Sequence, residues 1–290
     1  MINYKPLKTK KIYKETTRWI SDSVGLMYEQ PMEILNKFLN NEGLPAGYGT
    51  LSGACLSLAT WYEELFITAS FDEDLSAGNY LAESLLYDSA SLFIQDKIRQ
   101  SYPERHFMDY SFRKHGLVLA KAAAAGNLDE FDSIGGFILK NFKSDTYAGL
   151  SSTKSAWFTL NIFCLWKQDK TFMPENRSKL PDCYQILQNE WNKELSNEFK
   201  KAFEEACELH IEESNYDTSR RNYDFNDHFY RVFPAELLSV IQLRRKLNID
   251  LPDIEHPLLR LPTIILLDEP ENRQNELLEK VIQKVTLELL

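Results

Sequence analysis

Histidines and closely spaced acids are the residues of this chain whose types could do chemistry, as metal ligands or as general acids and bases. The chain has five histidines, and none forms an HExxH, an HxH or another metal-binding spacing: His106, His115, His210, His228 and His256. Glu204, Glu208 and Glu212 share one stripe of a predicted helix. His210 lies two residues from the nearest of them, so its side chain points elsewhere. We therefore predict no metal, no cofactor and no catalytic residue.

Nucleophiles and phosphate-binding loops give equally little indication of an enzyme. The chain has no GxSxG sequence, and the stretch "GLPAGYGTLSG" lacks the Lys-Ser/Thr pair of a P-loop. The four cysteines are widely spaced, mostly among apolar neighbours, which predicts buried free thiols: Cys55, Cys164, Cys183 and Cys207. A carboxylate-metal enzyme assembled from scattered residues stays an alternative.

The stretch "DIEHPLLRLP", residues 253–262, places His256 between a glutamate and a proline. A proline disfavours helical geometry in the residue before it, so His256 cannot belong to a helix that presents it to a site. Buried polar groups find hydrogen-bond partners. We therefore predict that the imidazole satisfies a backbone or carboxylate partner while Leu258, Leu259 and Leu261 cover the end of the preceding helix.

Negative charge is concentrated in one segment of the chain. The formal net charge is -10, which argues against a nucleic-acid partner. Residues 38–96 contain nine acids and no Lys or Arg, whereas the remaining residues hold 34 acids and 33 bases. A surface that serves solubility alone normally mixes both signs. The segment therefore favours a basic protein partner, with solubility as the alternative interpretation.

Helical periodicity dominates the sequence. Apolar residues at three-and-four spacing predict one helix over residues 51–69 and another over 75–93, in which Leu75 is the first residue of the apolar pattern. The short link "FDEDLS" can only form a tight hairpin, and its three consecutive acids must point into water. The stretch "LAKAAAAGNLDEFDSIGGFIL" predicts a second hairpin, with Gly126 as the left-handed cap.

Further helices are predicted at about 152–167, 182–191, 194–213, 234–247 and 272–289. No stretch shows sustained strand alternation, and "PTIILL" is interpreted as an extended segment. We predict an all-α fold with residues 1–290 in a single domain. About ten helices would form antiparallel hairpins in a loosely solenoid-like arrangement, with a possible long internal loop at 167–182.

The chain is expected to be cytoplasmic. The start "MINYKPLKTKKIYKETTRW" has lysines without the apolar region and cleavage site of a secretory signal. The most apolar stretch, residues 156–166, is much shorter than the roughly 20 residues that a membrane-spanning helix needs. Oligomeric state is not predicted from these features.

The tract "FYRVFPAELLSVIQLRRKLNIDLPDIEHPLLRLP", residues 229–262, resembles the all-helical immunity proteins of bacterial polymorphic and type VI secretion toxin systems. In that group "FP-x-E" opens a helix that ends in "LR", and "HPL" follows after a short loop. The matching residues are Phe233, Pro234, Glu236, Leu243, Arg244, His256, Pro257 and Leu258. The resemblance covers 34 of 290 residues and implies a cytoplasmic, non-catalytic protein that binds and blocks one toxin.

Charge and resemblance together give the hypothesis of an immunity protein that occludes the active site of a toxin with a basic cleft. Its predicted partner-binding residues form two acidic sets: Glu63, Glu64, Asp72, Glu73, Asp74 and Asp88 in the first, and Glu204, Glu205, Glu208 and Glu212 in the second. A helical-repeat scaffold for a peptide or host protein is the alternative from another class.

Overall fold

The computed structural model describes residues 5–43, 47–102, 110–143, 147–148, 153–168, 179–265 and 274–289. Within these ranges the chain forms 12 α-helices: α1 (Thr9–Val24), α2 (Gln30–Leu39), α3 (Tyr48–Phe71), α4 (Ala77–Ser101), α5 (Phe112–Ala124), α6 (Leu128–Lys143), α7 (Lys154–Trp166), α8 (Asp182–Glu190), α9 (Asn197–Glu212), α10 (His228–Val232), α11 (Ala235–Lys246) and α12 (Glu276–Glu288). The predicted all-α class is confirmed.

Shorter elements complete the described chain. A π-helical turn, Gly25–Glu29, joins α1 to α2, and a 3-10 helix spans Pro257–Arg260. Two-residue strands β1 (Tyr110–Ser111) and β2 (Tyr147–Ala148) pair in parallel. None of the described helices combines the length and the apolar character that crossing a membrane requires. Most of the predicted loop 167–182 lies outside the described residues, as does the end of "PTIILL".

The chain divides into two compact units that alternate along the sequence. Unit 1 comprises Met1–Ile12 and Tyr110–Pro270, and unit 2 comprises Tyr13–Asp109 and Glu271–Leu290. Neither unit is one continuous stretch, so the assignment of residues 1–290 to a single folding domain stays a prediction. The solenoid-like arrangement also stays a prediction.

Unit 2 is built around the predicted hairpin of α3 and α4. These two helices pack along each other, and α2 and α12 cover them. The core between them is apolar, with Leu35, Leu51, Leu58, Ile94 and Val281 all fully buried. Burying side chains of this size contributes about 1.5–3 kcal/mol each, so this core holds the hairpin in place.

Unit 1 contains the second predicted hairpin, α5 and α6. Gly126 has a φ of 73°, and its N–H and that of Asn127 donate to the carbonyls of Ala123 and Ala122 at 2.9 and 3.0 Å. Asn127 Oδ1 then accepts from Glu130 N at 3.1 Å, which starts α6. This left-handed helix end followed by a new helix cap confirms the predicted break.

Close helix approach in unit 1 depends on small residues. A Cβ added at Gly116 of α5 would lie 2.3 Å from Ala156 Cβ and 2.6 Å from Ala156 Cα on α7. Gly136 on α6 is exposed, and an added Cβ would meet nothing within 4 Å. The two glycines therefore have opposite packing environments.

We expect Gly116→Ala to lower the free energy of unfolding by about 1–3 kcal/mol, because the added methyl group forces α5 and α7 apart. Gly136→Ala is the matched control and should raise it by about 0.5–1 kcal/mol, because alanine favours an exposed helix interior. Urea denaturation followed by circular dichroism measures both. Equal effects of the two substitutions would contradict the close contact.

Candidate protein-interaction site

The link between α3 and α4, the hairpin tip Asp72–Leu75, is fixed by its own backbone. Glu73 has a φ of 58°, a left-handed conformation that usually requires glycine. Its N–H donates to Ser70 O at 3.2 Å, and Asp74 N donates to Ala69 O at 2.8 Å. Asp74 Oδ1 in turn accepts from Ser76 N at 2.9 Å, and this backbone bond lowers the pKa of Asp74. The tip is therefore a defined turn.

The hairpin tip presents charge and an apolar side chain together. Asp72, Glu73 and Asp74 are exposed, as the sequence predicted. Asp72 Oδ1 accepts from Tyr13 OH at 2.7 Å, and this hydrogen bond raises the pKa of Tyr13. Leu75 is 99% exposed, so its assignment to the buried face of the second helix was wrong. The tip therefore offers a leucine flanked by three carboxylates.

The other three acids of the first predicted set do not face the solvent. Glu63 and Glu64 are 9% and 8% exposed, and Asp88 is 4% exposed. The expectation that all carboxylates of this segment point outward is wrong for these three. The physical reason is that α3 contacts α2 and the π-helical turn as well as α4, and α4 contacts α12 as well as α3, so both helices are covered on more than one face. Of the first predicted set, only Asp72, Glu73 and Asp74 at the hairpin tip are exposed.

The second predicted set lies on α9 in unit 1, and all four glutamates are exposed: Glu204, Glu205, Glu208 and Glu212. Ser196 starts this helix by accepting from Phe199 N at 3.0 Å. Lys201 Nζ lies 3.7 Å from Glu205 Oε1, as helical spacing predicts. The surface of α9 is thus acidic but partly neutralised.

His256 has a structural role, as predicted. It is 7% exposed, its Nδ1 accepts from Leu258 N at 3.2 Å, and its Nε2 donates to Glu208 Oε1 at 2.9 Å. Because Nδ1 is an acceptor, the imidazole proton is on Nε2. His256 therefore starts the 3-10 helix and ties it to α9, and it uses both ring nitrogens to do so.

Arg244 anchors the tract that resembles immunity proteins. Its side chain is fully buried, and its guanidinium donates to Asp250 O at 2.7 and 3.0 Å and to Trp191 O at 3.0 Å. Burial lowers its pKa. Of the eight matching residues only Pro257 is exposed. The matching residues therefore hold the fold together and present little surface to a partner.

Two other buried carboxylates of unit 1, those of Glu236 and Glu213, have side-chain partners. His210 and Glu236 are fully buried, with Nδ1 and Oε1 2.8 Å apart. Glu213 accepts from Lys154 Nζ at 3.2 Å and from Arg221 at 2.8 Å. Among the described residues no group of three or more His, Cys, Asp or Glu could hold a metal ion. The four cysteines are buried and free, as predicted.

Asp224 caps α7 across a distance of 69 residues in sequence. Its Oδ2 accepts from Ser155 N, in the first turn of that helix, at 2.8 Å. Burial raises the pKa of Asp224 to about 6; nearby Glu213 also raises it, whereas the Ser155 hydrogen bonds and Lys154 lower it. Because Asp224 lies so far along the chain from α7, no local sequence pattern predicted that it caps this helix.

No family model, curated protein or solved structure matches this chain. The resemblance to immunity proteins therefore stays a prediction. The only exposed residue that sequence reasoning missed at the hairpin tip is Leu75, because it continued an apolar spacing. Its position directly after three acids in a short link was the signal that could have placed it in the turn.

We expect Glu73→Gly to raise the free energy of unfolding by about 1 kcal/mol, because glycine adopts positive φ without steric strain. Glu73→Gln is the matched control: it removes the same charge and keeps the strained backbone, so its stability should equal that of the original protein. Thermal and urea unfolding measure both variants. A destabilised Glu73→Gly protein would contradict the left-handed turn.

Asp224 predicts a defined pH dependence of stability. Because its folded pKa, about 6, exceeds the ordinary 3.8, the folded state binds a proton more tightly than the unfolded state. Stability contributed by this group is therefore present at about pH 4 and is lost as the pH rises through about 6. The loss is on the order of 2–3 kcal/mol.

Asp224→Asn keeps an oxygen acceptor for Ser155 N and removes the titration. We expect the variant to exceed the original protein in unfolding free energy at about pH 7, and the difference to disappear towards about pH 4. Urea denaturation at several pH values measures it. A difference that does not vary with pH would show that Asp224 is not the titrating group.

Proposed function

We propose that this protein is an immunity protein that binds one cognate secreted bacterial toxin and neutralises it by occluding the toxin's active site. The observation that carries the proposal is the hairpin tip, where the fully exposed Leu75 stands beside the carboxylates of Asp72, Glu73 and Asp74. Interfaces depend on a few anchors that enter pockets on the partner. A leucine at the end of a long hairpin has the shape of such an anchor.

The charge around Leu75 indicates the chemistry of the partner. Residues 38–96 contain no Lys or Arg, so no cation of this segment neutralises the tip. Toxins that act on nucleic acids or nucleotides need basic clefts, because their substrates are anionic. Three carboxylates would speed the encounter with such a cleft, and Leu75 would slow dissociation by losing its contact with water.

The backbone of the hairpin tip supports an inhibitory role. Its turn is closed by the hydrogen bonds of Glu73 N and Asp74 N, and Asp72 is held by Tyr13. A loop that is ordered before it binds loses less conformational entropy in the complex. A preformed tip is therefore suited to tight binding of one partner.

The test begins with the neighbouring gene, which we expect to encode a large secreted protein that ends in a small toxic domain. An inactivated form of that domain should bind this protein tightly, and co-expression should protect a bacterial host from the active form. Binding of many unrelated proteins with low affinity, without protection, would favour the helical-repeat scaffold and reject an immunity function.

Two substitutions test the hairpin tip in that complex by surface plasmon resonance. Leu75→Ala should weaken binding at least about 30-fold, mainly through faster dissociation, because a central anchor contributes about 2 kcal/mol or more. Glu73→Lys should slow association and reduce its dependence on salt. Asp72 and Asp74 are left intact because their side chains accept hydrogen bonds from Tyr13 OH and Ser76 N.

The matched control is Glu279→Lys, which reverses an exposed acid on α12 in the same unit. It should leave the association rate close to that of the original protein. If all three variants bind equally well, the hairpin tip is not the contact surface, and the exposed glutamates of α9 become the next candidates.

A further inference from the structure

A long loop of unit 1 joins α9 to α10 without a helix or strand of its own. This 213–227 loop is closed at its base, where Phe225 N donates to Glu213 O at 3.1 Å. Eight consecutive residues of the loop, 215–222, are exposed. A loop of this length inside a compact unit is usually either functional or disordered, so its internal hydrogen bonds decide between the two.

Asp217 holds the 213–227 loop in one conformation. Its Oδ1 accepts from Tyr223 N at 2.7 Å, and its Oδ2 accepts from Asn226 Nδ2 at 2.8 Å. The same Oδ2 accepts from Arg113 Nη1 on α5 at 3.3 Å, and Arg113 also donates to Tyr223 O at 2.8 Å. These bonds join the two sides of the loop to each other and to α5. The loop is therefore ordered before any partner binds.

The tip of the loop is a tight turn that presents two arginines differently. Thr218 N donates to Arg221 O at 2.9 Å, and Thr218 Oγ1 accepts from Arg220 N at 3.3 Å and from Arg221 N at 3.0 Å. The Arg221 side chain is used within the protein, because its Nη2 donates to Glu213 Oε1 at 2.8 Å. Arg220 is exposed, and within the described part of the chain its guanidinium has no hydrogen bond or ion pair.

An aromatic side chain is exposed in the same stretch. Tyr216 is 47% exposed. The guanidinium carbon of Arg231 lies 3.6 Å from the centre of its ring, and its hydroxyl lies 2.8 Å from His228 Nε2. The ring is therefore fixed while part of it stays in water. Tyrosine and arginine are among the residue types that most often carry the binding energy of protein interfaces.

The donors that remain at the tip fit a carboxylate. A guanidinium group offers two parallel N–H groups that match the two oxygens of a carboxylate or a phosphate. Phosphate sites commonly add backbone N–H groups. At this tip the N–H groups of Arg220 and Arg221 already donate to Thr218 Oγ1. Because they are not available to a phosphate, a carboxylate is the better match to Arg220.

We propose that the 213–227 loop is a preformed binding site for an acidic peptide segment of another protein. A Glu or Asp side chain of that segment pairs with the Arg220 guanidinium, and an adjoining side chain packs on the exposed part of Tyr216. Because the loop is ordered in advance, less conformational entropy is lost on binding. This site lies in unit 1 and goes beyond the proposed function, which uses the hairpin tip of unit 2.

The test uses capped hexaglutamate as the acidic peptide. It is titrated into the full chain labelled with nitrogen-15, and NMR follows the backbone amides and the Arg220 Nε–H signal at constant ionic strength. We expect saturable shifts in the loop at millimolar peptide. Capped hexaglutamine should bind at least about tenfold more weakly, because it lacks the carboxylates. Tighter binding of inorganic phosphate than of hexaglutamate would overturn the assignment to a carboxylate.

Substitutions of Arg220 assign the binding to the loop tip. Arg220→Gln should weaken hexaglutamate binding at least about fivefold, and Arg220→Lys at least about twofold, because lysine keeps the charge without the paired N–H groups. Lys246→Gln is the matched control, since it removes an exposed positive charge at the end of α11 in the same unit. It should leave the affinity unchanged. Equal affinities of Arg220→Gln and Lys246→Gln, or no saturable shift, would overturn the proposal.

A pair of Asp217 variants tests whether the order of the loop matters. Asp217→Asn keeps an oxygen acceptor for Tyr223 N, the shortest bond of Asp217, whereas Asp217→Ala removes it. Both variants lose the same charge. We expect Asp217→Ala to bind hexaglutamate at least about threefold more weakly than Asp217→Asn, because its loop must be ordered on binding. Circular dichroism checks that both variants fold, and equal affinities would reject a preformed site.

The two proposals are tested by separate measurements. Binding of the toxin and protection of the host report on the hairpin tip, whereas hexaglutamate binding reports on the 213–227 loop. Failure of the loop site therefore leaves the proposed function untouched, and the reverse also holds.

Discussion

This structure depends on where its carboxylates lie, because each one must either stay in water or find hydrogen-bond donors inside the fold. A carboxylate that leaves water must gain donors or raise its pKa, since burial alone opposes its charge. Glu213 gains Lys154 and Arg221, and Asp224 gains a backbone N–H and a raised pKa. The acids of the hairpin tip stay in water. Interior acids thus link distant segments of unit 1, whereas the exterior acids of the hairpin tip form the contact surface that we propose.

Local patterns were enough to predict nine of the 12 described α-helices, and α1, α2 and α10 were not predicted. The three-and-four spacing of apolar residues placed α3, α4 and α6 correctly, because a helix face depends only on near neighbours in sequence. Gly126 marked the end of α5 for the same reason, since only the local backbone determines a left-handed cap. His256 was also predictable, because the proline after it fixes its backbone and its burial demands partners.

The features that could not be predicted from the sequence depend mainly on packing between residues that are far apart in the chain. Glu63 and Glu64 looked exposed, yet both are buried on α3, which contacts α2, α4 and the π-helical turn. Leu75 looked buried because it continued the apolar spacing of α4, although the three acids directly before it marked the turn. The hydrogen bond from Asn275 Nδ2 to Glu83 Oε2 joins residues that are 192 positions apart. The periodicity of apolar residues reflects only near neighbours in sequence, so it cannot predict such a contact.

The alternation of the two units along the chain has a consequence for biosynthesis. Leu278, Val281 and Val285 of α12 and Leu289 directly after it are part of the apolar core of unit 2, whose other buried members lie between residues 35 and 98. The ribosome delivers the second stretch of unit 1, Tyr110–Pro270, between these two groups. The apolar core of unit 2 therefore stays incomplete until α12 has been synthesised. Until then, the apolar side chains of the earlier helices are exposed and can be bound by chaperones.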